Sequence, residues 1–497
     1  MMKNNILYWI GTDFTPYCIA YGLQNKLESN NFAIIDNTNK PKNFFETQKL
    51  VPFSKIWFLH DHLNSNLEPD IEYLKKMEEK YDLNLWKLAI NERIFYRFYN
   101  FHKFSTNEIL SIEESSLRFF ESILDSVSPT HIVTKVPAFH HLELFTHICK
   151  KRGIDVLIFG QTNLAKKCII SNEAAKFDLP FHCDPNNIEE VTFEDLQRRY
   201  DSSKLTNQIK NSNEKHGGTD SDFIKSTLEF LSSSNNHINS HYNYYGRTKL
   251  KVFQYMLSSI ILKKLRKNFI DRNLSKDTKF NSPFLYFPLA VDLERNLLIN
   301  APFFTNQTEL IRTTAKSLPV GYSLVVKENP GQVAREWRSI SEYKEIMNIP
   351  NVIFLHPEVS SKKILEKCSL VVSIAGSSGF EAGLYGKPSI VFADTFYSDL
   401  PSIYRVKIIE DLPNIIKKSL DHNVNPGTIN EYLDFIDKMT FDFDLFDFSA
   451  IFKNTFYYGG NLHDVHISEE KMKKFLIETE NILKPITTEY FKKIQNT

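Results

Sequence analysis

Short apolar runs alternate with amphipathic stretches in two parts of the chain, and a polar segment separates these parts. Apolar runs of about four to eight residues between turn signals are typical of buried strands, and apolar residues spaced about three or four apart are typical of helices. Strands that alternate with helices predict an α/β fold, in which helices cover both faces of a parallel sheet. The predicted strands are residues 6–10, 32–36, 55–60, 131–136, 155–159, 284–289, 322–328, 351–355, 369–376 and 389–394.

The clearest helix signal lies between the third and fourth predicted strands. Ser105 and Glu108 have the spacing of a capping box, in which each side chain accepts a hydrogen bond from the other residue's backbone. The amphipathic stretch that follows is predicted to end near Val127, because Pro129 stops the helix. Residues 248–270 combine six lysines and arginines with large apolar residues, and they predict a basic amphipathic helix.

The same pattern predicts the domain organisation. Residues 200–240 are mostly polar, so we predict loops that flank helical pieces there. Two Rossmann-like domains are predicted, with a polar linker and basic helical connection between them and a helical tail after the second. The predicted boundaries are 1–199 for the first domain, 200–282 for the connection, 283–420 for the second domain and 421–497 for the tail.

Composition and charge exclude several classes of protein. The 60 Lys and Arg balance the 60 Asp and Glu, so the bulk charge gives no reason to expect a nucleic-acid partner. The five cysteines are widely spaced and form no CxxC pair, which indicates reduced thiols in a cytoplasmic protein. The apolar runs are too short for a signal peptide or a membrane span. We therefore expect a cytoplasmic protein that meets a membrane only from its surface.

The strongest candidate for chemistry is the segment SIAGSSGFE, from Ser373 to Glu381. A strand ends there, a turn of serine and glycine follows, and a helix is predicted to begin near Ser378. The backbone N–H groups and the helix dipole at such a junction bind anions, above all phosphate. The alternative is an ordinary strand-to-helix turn with serine caps. The residues expected to bind the ligand are Gly376, Ser377, Ser378, Gly379 and Glu381, the last through sugar hydroxyls.

Two further segments have weaker signals of their own. The segment Lys327–Gly331, KENPG, follows a predicted strand, and its lysine would neutralise a phosphate beside the backbone donors of the turn. The alternative is a turn with a solvated pair formed by Lys327 and Glu328. The segment Gly386–Pro388, GKP, ends the helix that contains Glu381, and by itself it indicates only ordinary helix termination.

Together and in this order, the three segments resemble the bacterial capsule polysaccharide biosynthesis family. These proteins are surface-carbohydrate glycosyltransferases related to the capsular Kdo transferases. The resemblance covers residues 283–400 and extends weakly into residues 85–110. It implies a GT-B-like architecture, with two Rossmann-like domains that face a cleft. It also implies that the C-terminal domain holds a nucleotide-sugar donor and that the N-terminal domain meets the acceptor.

The Lys-Glu-His-Pro turn of the family is matched with one departure. Lys327, Glu328 and Pro330 agree with it, whereas Asn329 replaces the histidine. The resemblance implies catalytic positions for Lys327 and Asn329 at the leaving phosphate, and donor-binding positions for Lys327 and Glu328. Asparagine donates only a neutral hydrogen bond, so either Lys327 does the work of the histidine, or the donor differs, or activity is reduced. The other family motifs are matched by Pro288, Leu289, Glu294, Ser377, Ser378, Gly379, Glu381, Gly386, Lys387 and Pro388.

Transfer with inversion needs a base that deprotonates the acceptor hydroxyl. Asp13 follows the first predicted strand and is the expected catalytic base, with Asp61 and Glu143 as alternatives, and its other interpretation is a turn-forming carboxylate. The sequence His60-Asp61-His62 is a weak metal signal, because histidines two residues apart on a strand face opposite sides. We therefore expect no metal and no cofactor, since GT-B enzymes stabilise the leaving phosphate with helix dipoles and basic groups.

The favoured interpretation is a glycosyltransferase of capsule or surface polysaccharide biosynthesis, cytoplasmic and peripheral on the inner face of the cell membrane. The resemblance alone favours a CMP-sugar as the donor, and the acceptor would be a glycan or glycolipid. Residues 248–270 are expected to contact an anionic membrane surface, unless they form a connecting helix packed on a domain. Two other functions stay open: a CDP-polyol phosphotransferase of the teichoic-acid type, or a non-catalytic glycan-assembly partner with the same fold.

Overall fold

The computed structural model describes residues 4–65, 68–183, 189–234 and 241–496. The chain divides into two compact units, and each unit has its own sheet and its own hydrophobic core. The units are assembled from segments that are not contiguous in sequence. The first unit comprises Met1–Asp178, Ser203–Lys251 and Asp437–Thr497, and the second comprises Leu179–Ser202 and Val252–Ile436.

Strands and helices alternate through most of both units. In chain order, the strands are β1 (Asn4–Ile10), β2 (Ser29–Ile35), β3 (Lys55–Phe58), β4 (His131–Lys135), β5 (Asp155–Gln161), β6 (Lys167–Ser171), β7 (Phe284–Pro288), β8 (Ser323–Lys327), β9 (Val352–Leu355), β10 (Leu370–Ser373), β11 (Ser389–Val391), β12 (Ile403–Arg405) and β13 (Phe441–Asp442). The helices are α1 (Thr15–Leu23), α2 (Asn39–Thr47), α3 (Ile71–Tyr81), α4 (Leu85–Asn91), α5 (Thr106–Val127), α6 (His140–Lys151), α7 (Phe193–Ser202), α8 (Leu205–His216), α9 (Asp220–Ser232), α10 (Lys249–Asn273), α11 (Arg295–Leu298), α12 (Gln307–Lys316), α13 (Ile340–Met347), α14 (Ser361–Leu365), α15 (Ser378–Gly383), α16 (Leu412–Leu420), α17 (Pro426–Met439), α18 (Leu445–Phe456), α19 (Glu469–Glu478) and α20 (Glu480–Gln495). Short 3₁₀ helices cover Leu59–Asp61, Tyr242–Tyr244, Pro330–Arg335, Ile409–Asp411 and Tyr458–Gly460.

The sheet of the first unit has the strand order β3-β2-β1-β4-β5-β6-β13. The strands β1 to β5 are parallel, and β6 and β13 continue the sheet in antiparallel pairs. β1 lies at the centre, and the run from Ile6 to Ile10 is buried throughout because one core covers each face of the sheet. A parallel sheet covered on both faces requires such continuous apolar strands, which is why the sequence pattern identifies them.

The second unit repeats this topology in a wholly parallel sheet of order β9-β8-β7-β10-β11-β12. In both sheets the first strand is central, the next two extend to one side and the fourth and fifth extend to the other. This is the strand order of a Rossmann-like fold. The predicted α/β class and the two Rossmann-like units are therefore confirmed by the sheets themselves.

The predicted helix after Ser105 is also confirmed. The hydroxyl of Ser105 accepts a hydrogen bond from the N–H of Glu108 at 3.3 Å, and the carboxylate of Glu108 accepts one from the N–H of Ser105 at 2.7 Å. This reciprocal cap satisfies backbone donors that the first turn of α5 would otherwise leave unpaired. The helix ends at Val127, as Pro129 predicts.

The C-terminal segment does not form a tail of its own. Residues 437–497 complete the first unit: β13 pairs with β6, and α18, α19 and α20 pack on the face of the sheet that α1 also covers. The hydroxyl of Tyr490 donates to the carbonyl oxygens of Thr134 and Leu157 at 3.3 Å. The apolar faces of this segment are thus buried in the core that also contains the apolar residues of β1 and α1.

The polar segment after residue 200 forms helices where we predicted loops. Residues 205–216 form α8, which buries only polar side chains: Gln208 and Ser212. Gln208 donates to the carboxylate of Asp444 at 2.7 Å and accepts from the amide of Gln161 at 2.8 Å. The loop prediction was wrong because α8 is held by polar contacts, which leave no apolar periodicity in the sequence.

The predicted basic helix forms α10, but its apolar residues are not confined to one side. Arg266 donates to the carbonyl oxygens of Glu336 at 3.2 Å and Trp337 at 3.0 Å, and the hydroxyl of Ser259, two turns earlier, donates to the carboxylate of Glu336 at 2.5 Å. Eight large apolar side chains along α10 are 39% to 67% exposed; they are Leu250, Phe253, Met256, Leu257, Ile260, Ile261, Leu262 and Leu265. Among the helices that the structure describes, none is both long and apolar enough to cross a bilayer.

Candidate functional site

The segments predicted to bind an anion meet at one edge of the second sheet. β7 lies between β8 and β10, Lys327 is the last residue of β8, and Ser373 is the last residue of β10. The chain order reverses between β7 and β10, and ligands of open α/β sheets bind beyond the carboxyl ends of the strands at this point. The topology therefore brings together two segments that the sequence separates by more than forty residues.

Lys327 is a buried cation without a close counter-ion. Its residue is 5% exposed, and its ammonium donates to the hydroxyl of Ser361, the first residue of α14, at 3.3 Å. No carboxylate among the described residues lies within ion-pair distance of this ammonium. Burial lowers its pKa, although the charges of Glu328 and Glu381 oppose that effect. A buried ammonium that has only a hydroxyl as partner is a place where an anion would be stabilised.

The turn after β10 presents backbone donors at the same edge. The hydroxyl of Ser373 accepts the N–H of Gly376 at 3.0 Å, and the hydroxyl of Tyr397 donates to the carbonyl oxygen of Gly376. The turn is therefore fixed from both sides. The backbone N–H groups of Ser377 and Ser378, where α15 begins, have no acceptor in the described part of the chain.

Glu381 is oriented by two hydroxyl groups. The hydroxyl of Ser377 donates to Glu381 Oε1 at 2.9 Å, and that of Tyr200 donates to the same oxygen at 3.2 Å. No side chain in the described ranges donates to the second carboxylate oxygen, so its lone pairs can accept from further donors. Gly379, which the sequence offers as a point of ligand approach, also has a packing reason: an added Cβ would lie 2.7 Å from the hydroxyl oxygen of Tyr397. Its role in ligand binding stays a prediction.

Glu328 points into a buried ion network that stabilises the unit. Its carboxylate accepts from Arg338 Nε at 3.0 Å and from the hydroxyl of Tyr343 at 2.9 Å, and it is fully buried. Arg338 also pairs with Asp292 at 2.5 Å. Glu328 therefore pairs with Arg338 and not with its neighbour Lys327. Arg338 carries no motif, so sequence reasoning missed it.

Asn329 has both ends of its amide engaged within the turn. Its oxygen accepts the N–H of Gly331 at 2.8 Å and caps the short helix that begins at Pro330, while its Nδ2 donates to the carbonyl oxygen of Leu289 at 3.2 Å. The side chain therefore ties the end of β7 to the turn after β8. The sequence-based expectation that Asn329 donates to a leaving phosphate stays a prediction, and these contacts show what it would have to give up.

The expected base, Asp13, lies at the corresponding edge of the first sheet. It follows β1, and its carboxylate forms an ion pair with Lys135, the last residue of β4, and accepts the N–H of Thr15 at 3.0 Å. Burial would raise the pKa of Asp13, but Lys135 and Thr15 outweigh it and hold the pKa below its usual value. Of the alternatives, Asp61 forms an ion pair with Lys42 at the surface, and Glu143 lies in the first turn of α6.

Sequence reasoning missed a second group at this edge. Asp36 follows β2, His60 follows β3 and His141 lies at the start of α6, and the two rings contact the Asp36 carboxylate. The available signal was that Asp36 and His60 end predicted strands and that His141 lies five residues after another; the sequence analysis treats His60 only as a weak metal signal. No group of three or more metal-ligating side chains in the described ranges is arranged to hold a metal ion.

The family comparison agrees with the resemblance seen in the sequence. Residues 203–400 match the model of a family described as capsule polysaccharide biosynthesis protein. The match contains every second-unit residue of the site described above except Tyr200. It confirms the resemblance over residues 283–400 and extends it back to residue 203, into a segment where we saw little of it. Residues 85–110 lie outside the match.

Several solved structures share a low level of similarity with this chain. UDP-GlcNAc 2-epimerase from Methanocaldococcus jannaschii is 12% identical, with 87% of this chain and 99% of that chain covered and a TM-score of 0.24. KpsC of Thermosulfurimonas dismutans, a β-Kdo 2,7 transferase, is 10% identical over 64% and 89%, with a TM-score of 0.28. The N-terminal domain of Candida albicans trehalose-6-phosphate phosphatase is 10% identical over 91% and 96%, with a TM-score of 0.29. Similarity at these TM-scores is too weak to assign a function. A search of curated proteins finds no match.

Proposed function

We propose that this protein is a glycosyltransferase that builds a capsule or related surface polysaccharide from a nucleotide-activated sugar. The family match over residues 203–400 supports the biological role, since its description names capsule polysaccharide biosynthesis. The second unit would bind the donor and the first would serve a glycan or glycolipid acceptor. The protein would work in the cytoplasm, at the inner face of the cell membrane.

The observation that carries the proposal is the buried ammonium of Lys327, which has no carboxylate partner in the described part of the chain and lies at the edge where the strand order reverses. In a transfer reaction the bond between the anomeric carbon and the donor phosphate breaks, and its electron pair leaves on the phosphate. Lys327 and the backbone N–H groups of Ser377 and Ser378 would stabilise that developing charge. Glu381, already oriented by Ser377 and Tyr200, would accept hydrogen bonds from hydroxyl groups of the donor.

A cytidine nucleotide is the proposed donor class, on the family resemblance. A ligand that binds only the folded state stabilises it by about 2.7 kcal/mol at a hundredfold excess over its Kd. We therefore expect CMP or CDP at millimolar concentration to raise the unfolding temperature of the purified chain, and UMP, UDP and GDP to raise it much less. Inorganic phosphate serves as a control for binding of the anion alone.

The outcomes separate the candidate functions. If UDP stabilises the protein and cytidine nucleotides do not, the proposed donor becomes a UDP-sugar and the transferase proposal stands. Stabilisation by cytidine nucleotides, followed by product analysis with radiolabelled CMP-sugar and CDP-polyol, would distinguish a sugar transferase from a polyol phosphotransferase. If no nucleotide has any effect and no donor is consumed, the transferase proposal is wrong and the protein is a non-catalytic partner in glycan assembly.

We also propose that α10 contacts an anionic membrane surface. From Lys249 to Ile270 the helix carries six basic residues and no acidic one, and its exposed apolar side chains would enter the headgroup region while the lysines meet lipid phosphates. The exposed residues are those named above, from Leu250 to Leu265. The basic residues lie among the apolar ones, so the helix surface is both apolar and positively charged. An anionic bilayer complements both properties.

Liposome co-sedimentation tests the contact. We expect binding to vesicles of phosphatidylglycerol and phosphatidylcholine at low salt, and loss of binding in the double variant Phe253→Ser with Ile260→Ser. Val320→Ser is the matched control, because Val320 is fully exposed outside α10. If the wild type sediments equally with anionic and neutral vesicles, or with neither, the proposal that α10 contacts an anionic membrane is wrong.

A further inference from the structure

Two segments of the first unit are rich in aromatic and basic residues. The first segment, residues 93–104, lies between α4 and α5 and has the sequence RIFYRFYNFHKF. The second segment, residues 242–251, runs into the first turn of α10 and has the sequence YNYYGRTKLK. Together the two segments contain nine Phe and Tyr residues, six Lys and Arg residues and no acidic residue.

The two segments are joined by ring and backbone contacts. The hydroxyl of Tyr99 donates to the carbonyl oxygen of Tyr245 at 2.7 Å, and the rings of Tyr245 and Phe104 stack with their centroids 6.0 Å apart. Gly246 has a φ of +71°, and an added Cβ there would lie 2.2 Å from the carbonyl oxygen of Phe101. The segments therefore form one continuous surface, which we call the aromatic-basic surface.

A small core holds this surface in place and leaves part of its rings open to solvent. The buried residues of that core are Ala89, Phe95, Phe104, Ile112 and Tyr242. The aromatic residues of the surface that are exposed or half-buried are Tyr96, Phe98, Tyr99, Phe101, Tyr244 and Tyr245. Rings that are fixed by a core beneath them and exposed above it offer a preformed apolar face to a ligand.

Three cations of the surface lie around Phe101. The guanidinium carbon of Arg247 is 5.2 Å from the centroid of the Phe101 ring, and Lys251 Nζ donates to the carbonyl oxygen of Phe101 at 3.4 Å. Lys103 is exposed two residues further along the chain. Within the described ranges, no carboxylate lies at ion-pair distance from any of these three cations. An anion that binds there would thus meet positive charge that the fold does not neutralise.

The acidic residues next to the first segment are already engaged elsewhere. Glu92 is buried, where its carboxylate accepts the N–H of His140 and lies 4.0 Å from Arg93. Glu108 caps α5 and lies 2.9 Å from the ring of His102. Arg93 and His102 therefore have acidic neighbours, and the charge available to a ligand comes from the three cations around Phe101.

We propose that the aromatic-basic surface binds an acidic glycan, and that this glycan is the acceptor chain. The inference rests on the proposed function, in which the first unit serves the acceptor. The apolar C–H faces of sugar rings pack on aromatic rings, and lysine and arginine pair with the carboxylates of acidic sugars. Arg247, which lies over the rings of Phe101 and Tyr244, combines both kinds of contact in one place.

Charge favours a glycan over a nucleic acid as the ligand. A nucleic acid carries a phosphate at every nucleotide, and proteins that bind it present an extended basic patch. This chain has balanced charge, with 60 basic and 60 acidic residues, and the surface offers three cations without a carboxylate partner in the described part of the chain. Such a number suits a chain with a carboxylate on some of its sugars.

Oligosaccharide binding to the full chain tests the inference. The acidic probes are oligomers of galacturonic acid and of sialic acid, and the comparison probes are galactose oligomers and single-stranded oligothymidylate of similar length. We expect the acidic oligomers to bind at least about tenfold more tightly than the neutral ones, because only they pair with the cations. Raising the salt concentration should weaken their binding. Calorimetry measures each affinity.

Variants locate the binding on the surface. Lys103→Gln combined with Arg247→Gln should weaken binding of the acidic oligomers at least about tenfold. Phe101→Ala should weaken binding of acidic and neutral oligomers alike, because it removes a ring on which sugars pack. The matched control is Lys76→Gln combined with Lys473→Gln, which removes the same charge from exposed positions on α3 and α19 and should change affinity by less than about twofold. If Phe101→Ala does not fold, the charge variant gives the decision.

The outcomes separate this inference from the proposed function. Loss of acidic-glycan binding in the surface variants, with an unchanged control and an unchanged nucleotide-induced rise in unfolding temperature, supports it. A wild type that binds nucleotide and no acidic oligomer overturns it and leaves the proposed function standing. Equal affinity for neutral oligomers, tighter binding of oligothymidylate, or equal losses in the control also overturn it. If acidic oligomers bind through these residues but no nucleotide binds and no donor is consumed, the transferase proposal alone is wrong.

Discussion

The two sheets have the same strand order around their central strands, yet charge is arranged differently at their carboxyl edges. In the first unit, the cation that ends β4, Lys135, is paired with Asp13. In the second unit, the cation that ends β8, Lys327, has only the hydroxyl of Ser361 as a partner within the described ranges. The first edge also presents the carboxylate of Asp36, which the rings of His60 and His141 contact. Among the described residues, the second edge thus offers a cation without a close carboxylate, whereas the carboxylates of the first edge have basic partners.

This contrast teaches how one topology serves two chemistries. A parallel sheet collects loop residues at one edge, whatever their type, and the function of that edge depends on which charges the fold leaves without a partner. In the second unit the fold achieves this by burying Arg338, which takes the carboxylates of Glu328 and Asp292. The unpaired state of Lys327 therefore depends on a residue that does not belong to the site itself.

The largest expected effect comes from removing that residue. Arg338→Met would leave Glu328 and Asp292 without their cation in a fully buried position, and breaking a buried pair in this way costs about 3–5 kcal/mol. We expect the free energy of unfolding, measured in urea, to fall by that amount. Surviving folded protein should bind nucleotide less well, because Glu328 is released next to Lys327.

The matched control for this change is Arg335→Met, which removes an exposed arginine of the same loop. It should alter stability by less than about 0.5 kcal/mol. A loss of stability in both variants would mean that the loop, and not the buried ion network, is sensitive to substitution.

Much of the fold could be predicted from the sequence, and the physical reason is the apolar burial of its strands. The run from Ile6 to Ile10 and the cap at Ser105 and Glu108 are local signals, and both correspond to the structure. The helix α8 was missed because polar contacts hold it. The return of residues 437–497 to the first sheet was also missed, because no local signal says which core an apolar face will join.

The candidate site was predicted unevenly for a related reason. Lys327 and Ser373 lie at the ends of strands that the pattern predicts, so their position at the sheet edge is implied by the pattern. Whether a charge is paired is decided by distant residues such as Arg338 and Lys135, which no local motif identifies. For the same reason, the cluster around Asp36 emerges only when β2, β3 and β4 are placed in one sheet around β1.

The next largest effect sharpens the comparison at the two cations. Lys327→Met should weaken binding of a cytidine nucleotide about ten- to a hundredfold, since a hydrogen bond to a charged group contributes about 1.5–3 kcal/mol. It should not lower stability, because the substitution removes a buried ammonium that has no ion-pair partner. Calorimetry measures the affinity, and urea unfolding measures the stability.

The corresponding change in the first unit, Lys135→Met, serves as the contrast. It should slightly lower stability, because it leaves Asp13 without its partner, and it should leave nucleotide affinity unchanged. Equal losses of affinity in the two variants would mean that Lys327 is not a donor-binding residue.

A smaller effect is expected at Glu381. Glu381→Gln keeps the shape of the side chain but removes its charge, so hydroxyl groups of the donor sugar lose a charged acceptor. We expect a loss of about 1 kcal/mol in the binding of a CMP-sugar and little change for CMP alone, because CMP lacks the sugar. Calorimetry with both ligands tests this difference. Tyr200→Phe, which removes one of the hydroxyls that orient Glu381, should give a weaker version of the same selective loss.

The smallest expected effect is the pH dependence of the Asp13 pair. Because the pKa of Asp13 is below its usual value in the folded state, its stabilising effect is present above the unfolded pKa of 3.8 and is lost as pH falls through the folded pKa. Both partners are partly exposed, so the pair should contribute no more than about 1 kcal/mol. Urea unfolding of the wild type and Asp13→Asn between about pH 2.5 and 7 should show a small difference at neutral pH that shrinks in acid. A difference that grows as pH falls would mean that Asp13 is protonated in the folded protein, and the charge assigned to this edge would then be wrong.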